Sequence, residues 1–431
     1  MTSTIAVETD RSILEPQGTE MTNERSQKNA APQCRREFLA AAALTPLAVA
    51  RGSSTNGAVE RSSKSSGPSS VATILRKHVL AGLSEMELSD PYLATAMASA
   101  RLEKELSLIE QLGLSHNLLT AYDLVHRHGE PGFLALGREV EHCSLAAYVL
   151  EIVHVSPISQ ELSYEDFAYE VSQKRRISLD VCSLRWDELV RDDPKSLETL
   201  RIVPSLCLTV IHRIHALIRE SRRGKLFGLQ IPLDDSPTYQ MLSRGNTEGI
   251  PFLDQPESQQ ALCRLRPEWF YELVAFFAVE YAWFDSPALW EFIAAKHDRV
   301  RAAWPSPIVK ALKSTYGQVL YREQAFRIIQ ELLFCDYDSA ARVWSELTDG
   351  ANTNCFATRD ALARALKRAG MDDLSTANLL SQFDRVNCES GSRALGVYAA
   401  FSDYTLAYLK AHYPAEFSVA WRESRAEGGV G

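Results

Sequence analysis

Apolar residues recur at spacings of three and four positions along most of the chain from about Val71 onward, which places them on one face of an α-helix. Shorter apolar runs at residues 143–155 and 175–185 predict strands. The pattern therefore predicts a mostly α fold with a small sheet (α+β). The predicted helices span residues 75–83, 96–112, 118–128, 269–282, 288–296, 308–316, 322–333, 358–369 and 399–412.

The second of these helices has the clearest pattern. Leu102, Leu106, Ile109 and Leu112 lie on one stripe, and Gly113 follows directly. Glycine just after the last periodic position is typical of a helix C-terminus, because it adopts the left-handed backbone conformation without steric cost. We therefore expect this helix to end at Gly113.

The first 70 residues differ from the rest, being rich in Ser, Thr, Asn, Gln and charge. Such a composition cannot bury enough apolar surface to offset chain entropy, so it predicts disorder. Within it, Arg35 and Arg36 precede a weakly apolar run that ends at Ala50. This arrangement is typical of a twin-arginine export signal, and a short disordered or partly helical patch is the alternative.

Composition excludes several classes of protein. The 431 residues carry a formal net charge of -9, which does not indicate a protein dominated by phosphate-backbone contacts. Eight cysteines are scattered without CxxC or Cys/His ligand spacing, which argues against a zinc site and a disulfide framework. We find no apolar stretch of the roughly 20 residues that would span a bilayer.

Six segments follow one another in an order that is informative as a set. They are residues 101–128, residues 137–157 beginning with Gly137 and Arg138, residues 164–181, residues 231–249 with 264–267 beyond them, residues 316–324, and residues 408–417. In this order they resemble the core of the bacterial DNA polymerase III alpha subunit, a C-family DNA polymerase. The resemblance covers about 350 residues, enough for more than one domain.

The resemblance implies a remnant polymerase palm that contains a small mixed sheet, at residues 71–225, and a helical fingers domain, at residues 226–425. Residues 1–70 would form a disordered N-terminal segment. The family's phosphoesterase-like domain would precede residue 71, and its DNA- and clamp-binding modules would follow Phe417. The resemblance also implies that a large part of the palm is deleted near residues 195–200.

Nucleotidyl transfer in this family needs two divalent ions, which carboxylates at fixed positions must hold. The resemblance implies three aspartates at alternate positions of one strand, on one face. Of these, only Asp180 remains in the segment 177–183, and a further catalytic aspartate is matched at about Arg201. Because Mg²⁺ takes oxygen ligands and a guanidinium repels it, we expect that the chain does not synthesise DNA.

The phosphate-binding groups that the resemblance implies are also altered. In the nucleotide loop, Glu139 and Val140 stand where the family has Gly and Ser. A carboxylate there opposes the binding of phosphate by backbone amides. Asp180 is thus the one candidate for catalysis and for metal binding. The candidates for DNA or nucleotide binding are Arg138, Ser144, Arg175, Arg176, Arg393 and Lys410.

Three functional hypotheses stay open. The leading one is a catalytically inactive polymerase-like protein, located in the cytoplasm, that acts as a DNA-associated or protein-binding accessory in replication or repair. It requires no cofactor. The second is a residually active DNA polymerase that uses Mg²⁺, with a site completed by Asp187, Asp192 or Asp193. The third is an exported (periplasmic) or decaying remnant without a nucleic-acid role.

Overall fold

The computed structural model describes residues 70–87, 90–126, 135–174, 176–221, 231–280, 286–298, 304–348, 355–389 and 391–428. The predicted disordered segment, the twin-arginine pattern at Arg35 and Arg36, and the basic residue Arg175 lie outside these ranges. None of the helices in these ranges combines the length and the hydropathy of a membrane-spanning segment.

Helices account for most of the described chain. The α-helices are α1 (Ser70–Met86), α2 (Ala96–Gln111), α3 (Ser115–His126), α4 (Leu145–Val149), α5 (Tyr164–Lys174), α6 (Trp186–Asp192), α7 (Pro194–Thr199), α8 (Leu206–Ser221), α9 (Ser236–Ser243), α10 (Pro256–Leu265), α11 (Phe270–Glu280), α12 (Pro287–Asp298), α13 (Ser306–Ala311), α14 (Arg322–Leu333), α15 (Tyr337–Thr348), α16 (Cys355–Arg368), α17 (Asp373–Glu389), α18 (Arg393–His412) and α19 (Pro414–Gly428). Short 3₁₀-helices span Glu139–Cys143, Ser183–Arg185 and Lys313–Thr315.

The strands form one small mixed sheet. Its order is β1 (Ala135–Gly137), β2 (Ser178–Cys182) and β3 (Arg201–Ser205). The central strand β2 pairs antiparallel with β1 and parallel with β3. The prediction of a mostly α fold with a small mixed sheet is confirmed.

The two strand predictions had different outcomes. Strand β2 lies within the predicted run 175–185. The prediction at residues 143–155 was wrong, because this run begins at the end of a 3₁₀-helix and continues as α4. All five residues of α4 are buried, so its apolar residues are continuous and carry no period that separates helix from strand.

The end of α2 follows the sequence prediction closely. Gly113 has a φ of 72°, and its N–H donates to the carbonyl of Glu110 at 3.0 Å. The N–H of Leu114 donates to the carbonyl of Ile109 at 2.9 Å, which completes a Schellman motif. Leu114 and Ile109 are both buried, as this motif favours.

Buried apolar residues form two clusters. The larger cluster draws on α1 to α12, α18 and α19, and the smaller one on α13 to α17. Helix α18 packs against α11, α8 and the 3₁₀-helix Glu139–Cys143, and most of its residues are buried. A Cβ at Gly396 would lie 2.5 Å from the carbonyl oxygen of Val274, so glycine is needed for α18 to approach α11 this closely. The division of the chain at residues 225 and 226 stays a prediction.

Candidate functional site around Asp180

Asp180 lies in the middle of the central strand and is only 4% exposed. Its partner in register on β1 is Leu136, and its partner on β3 is Val203. Neither neighbouring strand therefore places a carboxylate directly opposite it. Burial alone would favour the neutral carboxylic acid, so the groups that contact its two oxygens decide its chemistry.

Two side chains from distant parts of the sequence contact this carboxylate. The Nη1 atom of Arg138 lies 3.0 Å from its Oδ1 atom, and the hydroxyl of Tyr398 donates a short hydrogen bond to its Oδ2 atom. Burial raises the pKa of Asp180, while the hydrogen bond from Tyr398, the charge of Arg138 and a hydrogen bond from Ser205 oppose that shift. The carboxylate is thus held in a polar cluster inside the protein.

The loop after β1 positions Arg138. A Cβ at Gly137 would lie 2.7 Å from Cγ1 of Val153, so this position excludes larger residues. The backbone N–H of Arg138 donates to the carbonyl of Ser178 at 3.0 Å, which ties the loop to β2. Glu139 then takes a φ of 45°, a left-handed conformation that favours glycine. At Glu139 the backbone of this loop therefore adopts a conformation that is usual for glycine and strained for other residues.

Tyr398 completes the cluster from helix α18. The Arg138 guanidinium lies 5.5 Å from the centre of its ring, within the range of a cation–π interaction. The ring of His142 is 6.0 Å away, and burial lowers the pKa of His142 to about 3, so this imidazole is neutral near pH 7. Sequence reasoning missed Tyr398, because 218 positions separate it from Asp180 and no local pattern marks it.

A second buried carboxylate, also missed, is that of Asp403, five residues further along α18 than Tyr398. Asp403 accepts a hydrogen bond from Sγ of Cys207 at 3.7 Å and one from the N–H of Phe252 at 3.2 Å. Burial raises the pKa of Asp403 to about 8, which favours its neutral form. The residues around it in α18 are uncharged and gave no signal for a functional role.

Comparison with known proteins identifies the family. Residues 73–192 match the bacterial DNA polymerase III alpha NTPase domain, and residues 207–370 match the bacterial DNA polymerase III alpha subunit finger domain. The chain is related to the bacterial DNA polymerase III alpha subunit. The match to the finger-domain family begins in α8, before the boundary expected at residue 226.

Individual relatives agree with this assignment. The DNA polymerase III subunit alpha of Aquifex aeolicus is 26% identical over 212 residues, which cover 49% of this chain and 18% of that protein. The subunit alpha of Pseudomonas fluorescens is 26% identical over 239 residues, which cover 54% of this chain and 20% of that protein. An error-prone DNA polymerase of Pseudomonas fluorescens is 26% identical over 244 residues, which cover 55% of this chain and 23% of that protein. The chain thus spans about a fifth of the length of these relatives.

The residues around Asp180 do not fit the metal pair that a DNA polymerase III alpha subunit would imply. At the alternate positions of β2, Ser178 and Cys182 flank Asp180, and Arg201 begins the adjacent strand with its side chain exposed. Across the described ranges, no group of three His, Cys, Asp or Glu side chains is arranged to hold a metal ion. The Asp180 carboxylate instead contacts a guanidinium, so its oxygens are not free to bind a metal ion.

The three aspartates considered above as further metal ligands lie outside such a site or outside the described side chains. Asp187 is exposed in the first turn of α6. Asp193 caps α7, accepting hydrogen bonds from the N–H of Ser196 at 3.3 Å and from its hydroxyl at 2.6 Å. The side chain of Asp192 lies outside what the structure describes.

The remaining candidates for nucleotide or DNA binding do not converge on one point. Ser144 is buried, donates to Glu105 at 3.0 Å and caps α4. Arg393 and Lys410 lie near opposite ends of α18, about 25 Å apart at 1.5 Å per residue. Arg393 contacts Glu161 at 3.3 Å, and Lys410 donates to the carbonyl of Glu248 at 2.7 Å. Arg176 is exposed just before β2. Their roles in binding stay predictions.

Proposed function

We propose that this chain is a catalytically inactive relative of the DNA polymerase III alpha subunit, in which Asp180 stabilises the fold. The ion pair between Asp180 and Arg138 carries this proposal. A guanidinium keeps its charge at any physiological pH, and a divalent cation beside it would meet direct repulsion. The neighbouring positions on β2 and β3 add no carboxylate that could offset that repulsion.

The proposed role is that of an accessory in DNA replication or repair, in the cytoplasm, through contacts with DNA or with proteins of that process. Two observations support it. The matched relatives are DNA polymerases by name, and the matches cover the regions similar to the NTPase domain and to the finger domain of the alpha subunit. The exposed Arg176 offers one positive charge just before the central strand of the sheet for a phosphate.

Primer extension tests the loss of catalysis. The purified full chain is incubated with a primed template, the four deoxynucleotides and either Mg²⁺ or Mn²⁺. We expect no templated extension from the wild type or from Asp180→Ala. Templated extension by the wild type that Asp180→Ala abolishes would refute the proposal in favour of a residual polymerase.

DNA association is tested separately, by fluorescence anisotropy with a labelled primed duplex over a series of salt concentrations. We expect weak binding that declines with salt and declines further with Arg176→Glu, because phosphate contacts release counterions. Lys310→Glu, at an exposed lysine on α13, provides the control for net charge. Absence of binding at low salt would remove the DNA half of the proposed role and leave protein binding.

A further inference from the structure

A groove of about 520 Å³ opens between the C-terminal end of α10 and the outer face of α12. Trp290, Ile293 and Ala294 supply its apolar side, while Arg264 and Arg266 supply positive charge. Ile293 is 6% exposed, so the base of the groove is continuous with the larger core. The groove therefore combines a firm apolar surface with a cationic rim.

The two arginines are available at this rim. Both are exposed, and in the described part of the chain neither pairs with a carboxylate. The carbonyls at the end of α10 are already bound, since His297 donates to Arg264 at 2.8 Å and Lys296 donates to Arg266 at 2.7 Å. Other residues thus stabilise the helix end, and both guanidinium groups remain accessible to a ligand.

A cation–π contact also helps to orient one of them. The guanidinium carbon of Arg264 lies 5.1 Å from the centre of the Trp290 ring. A guanidinium whose face rests on an aromatic ring keeps its N–H groups in its own plane, where they can bind a carboxylate through two parallel hydrogen bonds. Such a pre-positioned arginine costs less conformational entropy to fix on binding.

The surrounding charges favour a short acidic segment over a nucleic acid. Glu268 is exposed two residues after Arg266, and Glu291, paired with Arg385, follows Trp290 on α12. A phosphodiester chain carries a charge on every nucleotide and would pass these carboxylates, and the whole chain carries a net charge of -9. A short peptide segment with one or two carboxylates and one apolar side chain would contact only the two arginines and the apolar side of the groove.

We propose that this groove docks a short segment of a partner protein that places one or two Asp or Glu side chains on Arg264 and Arg266 and an apolar side chain against Trp290 and Ile293. The inference rests on the protein-binding half of the proposed function and names the chemistry of the partner. Its failure would leave the results of primer extension and of DNA binding unchanged.

An array of immobilised hexapeptides tests the proposal. Each peptide carries two Asp or Glu residues and one Leu, Phe or Trp, and a matched array replaces the acids by Asn and Gln. We expect the full chain to bind a subset of the acidic peptides and not their amide counterparts. The best acidic peptide, labelled with a fluorophore, then gives a Kd in solution that weakens with salt.

Variants assign that binding to the groove. The double variant Arg264→Ala, Arg266→Ala should bind the labelled peptide at least tenfold more weakly and melt at the wild-type temperature, since both side chains are exposed. Arg425→Ala is the matched control, because Arg425 stacks on Trp421 at 5.8 Å in α19 and lies outside the groove. It should bind like the wild type.

Three results would overturn the proposal. One is equal binding to the acidic and amide arrays, which would remove the role of carboxylates. Another is binding of a labelled oligo-dT that the double variant loses while peptide binding persists, which would assign the groove to nucleic acid. The third is a wild-type dimer in sedimentation that the double variant dissociates, which would assign it to a second copy of the chain.

Discussion

Two buried acidic sites use opposite means to keep carboxylates inside the protein. On β2, Asp180 meets the guanidinium of Arg138. Asp166 and Glu323 line the same cleft between α5 and α14, and the charge of Asp166 raises the cost of ionising Glu323. Burial and the neighbouring Asp166 raise the pKa of Glu323 to about 7, and burial raises the pKa of Asp166.

The difference lies in how directly a guanidinium contacts the buried carboxylate. The Asp180 carboxylate already contacts the cationic guanidinium of Arg138, which disfavours the binding of a further cation. In the cleft, Tyr337 donates to Asp166 at 2.6 Å, and the N–H of Arg393 donates to Glu323 at 3.4 Å. Arg322 lies 3.7 Å from Glu323, but burial still outweighs it. The raised pKa of Glu323 therefore favours its neutral form more than that of an exposed glutamate near neutral pH.

Removing the cation from the first site should have the largest effect. Arg138→Ala leaves Asp180 buried with Tyr398 and Ser205 but without its ion-pair partner. We expect a loss of about 3–5 kcal/mol in the free energy of unfolding, the range for breaking a buried pair. Urea unfolding followed by circular dichroism measures it.

A paired substitution sharpens this test. The double variant Arg138→Met, Asp180→Leu removes both charges and should recover most of the lost stability. Arg176→Ala, at an exposed arginine close by in sequence, should change the stability by less than about 0.5 kcal/mol. If Arg138→Ala were as mild as Arg176→Ala, the ion pair would not stabilise the fold.

The cleft that contains Glu323 should make the free energy of unfolding depend on pH. Because the pKa of Glu323 is raised from 4.5 to about 7, its contribution to stability is fully present below about pH 4.5 and is lost as the pH rises through 7. Glu323→Gln should remove this decline. The stability of the wild type minus that of the variant should therefore fall between pH 5 and pH 8, by on the order of 1–3 kcal/mol.

Glu331→Gln is the control for this pH profile, because Glu331 is exposed on the same helix. The measurement is urea unfolding at pH 5, 6, 7 and 8 for all three proteins. A difference between wild type and Glu323→Gln that does not vary with pH would show that Glu323 is ionised throughout, as in an ordinary exposed glutamate.

The smallest expected effect lies in the loop that carries Arg138. Glu139→Gly removes the Cβ from a left-handed position and should stabilise the protein by about 0.5–1 kcal/mol after the entropy cost of glycine. Glu139→Ala keeps the Cβ and should not stabilise it. Thermal unfolding distinguishes the two, and equal gains from both would show that the glutamate side chain, not the backbone, is the source of strain.

Local features of this molecule could be predicted, and long-range ones could not. The bounds of α14 and the end of α2 follow from apolar period and from Gly113, because neighbours in sequence determine them. Strand β3 was missed because it is short and partly exposed and contains Pro204. The resemblance to DNA polymerase III alpha was confirmed by the matched family models.

The site shows the same limit. The sequence shows that Asp180 lacks acidic neighbours on its strand, since alternate positions can be counted. It does not show which group meets the carboxylate, since Arg138 and Tyr398 come from a loop and a helix that only the folded chain brings together. Whether Asp180 binds a metal is therefore decided by tertiary contacts.

Calorimetric titration of Mn²⁺ into the wild type and into Asp180→Asn tests this most directly. Mn²⁺ takes the same oxygen ligands as Mg²⁺ and is easily followed by its heat and its paramagnetism. If Arg138 is the cation that Asp180 holds, the two proteins should give the same heats, without saturable binding at that position. Two ions bound per wild-type chain and lost in Asp180→Asn would contradict it.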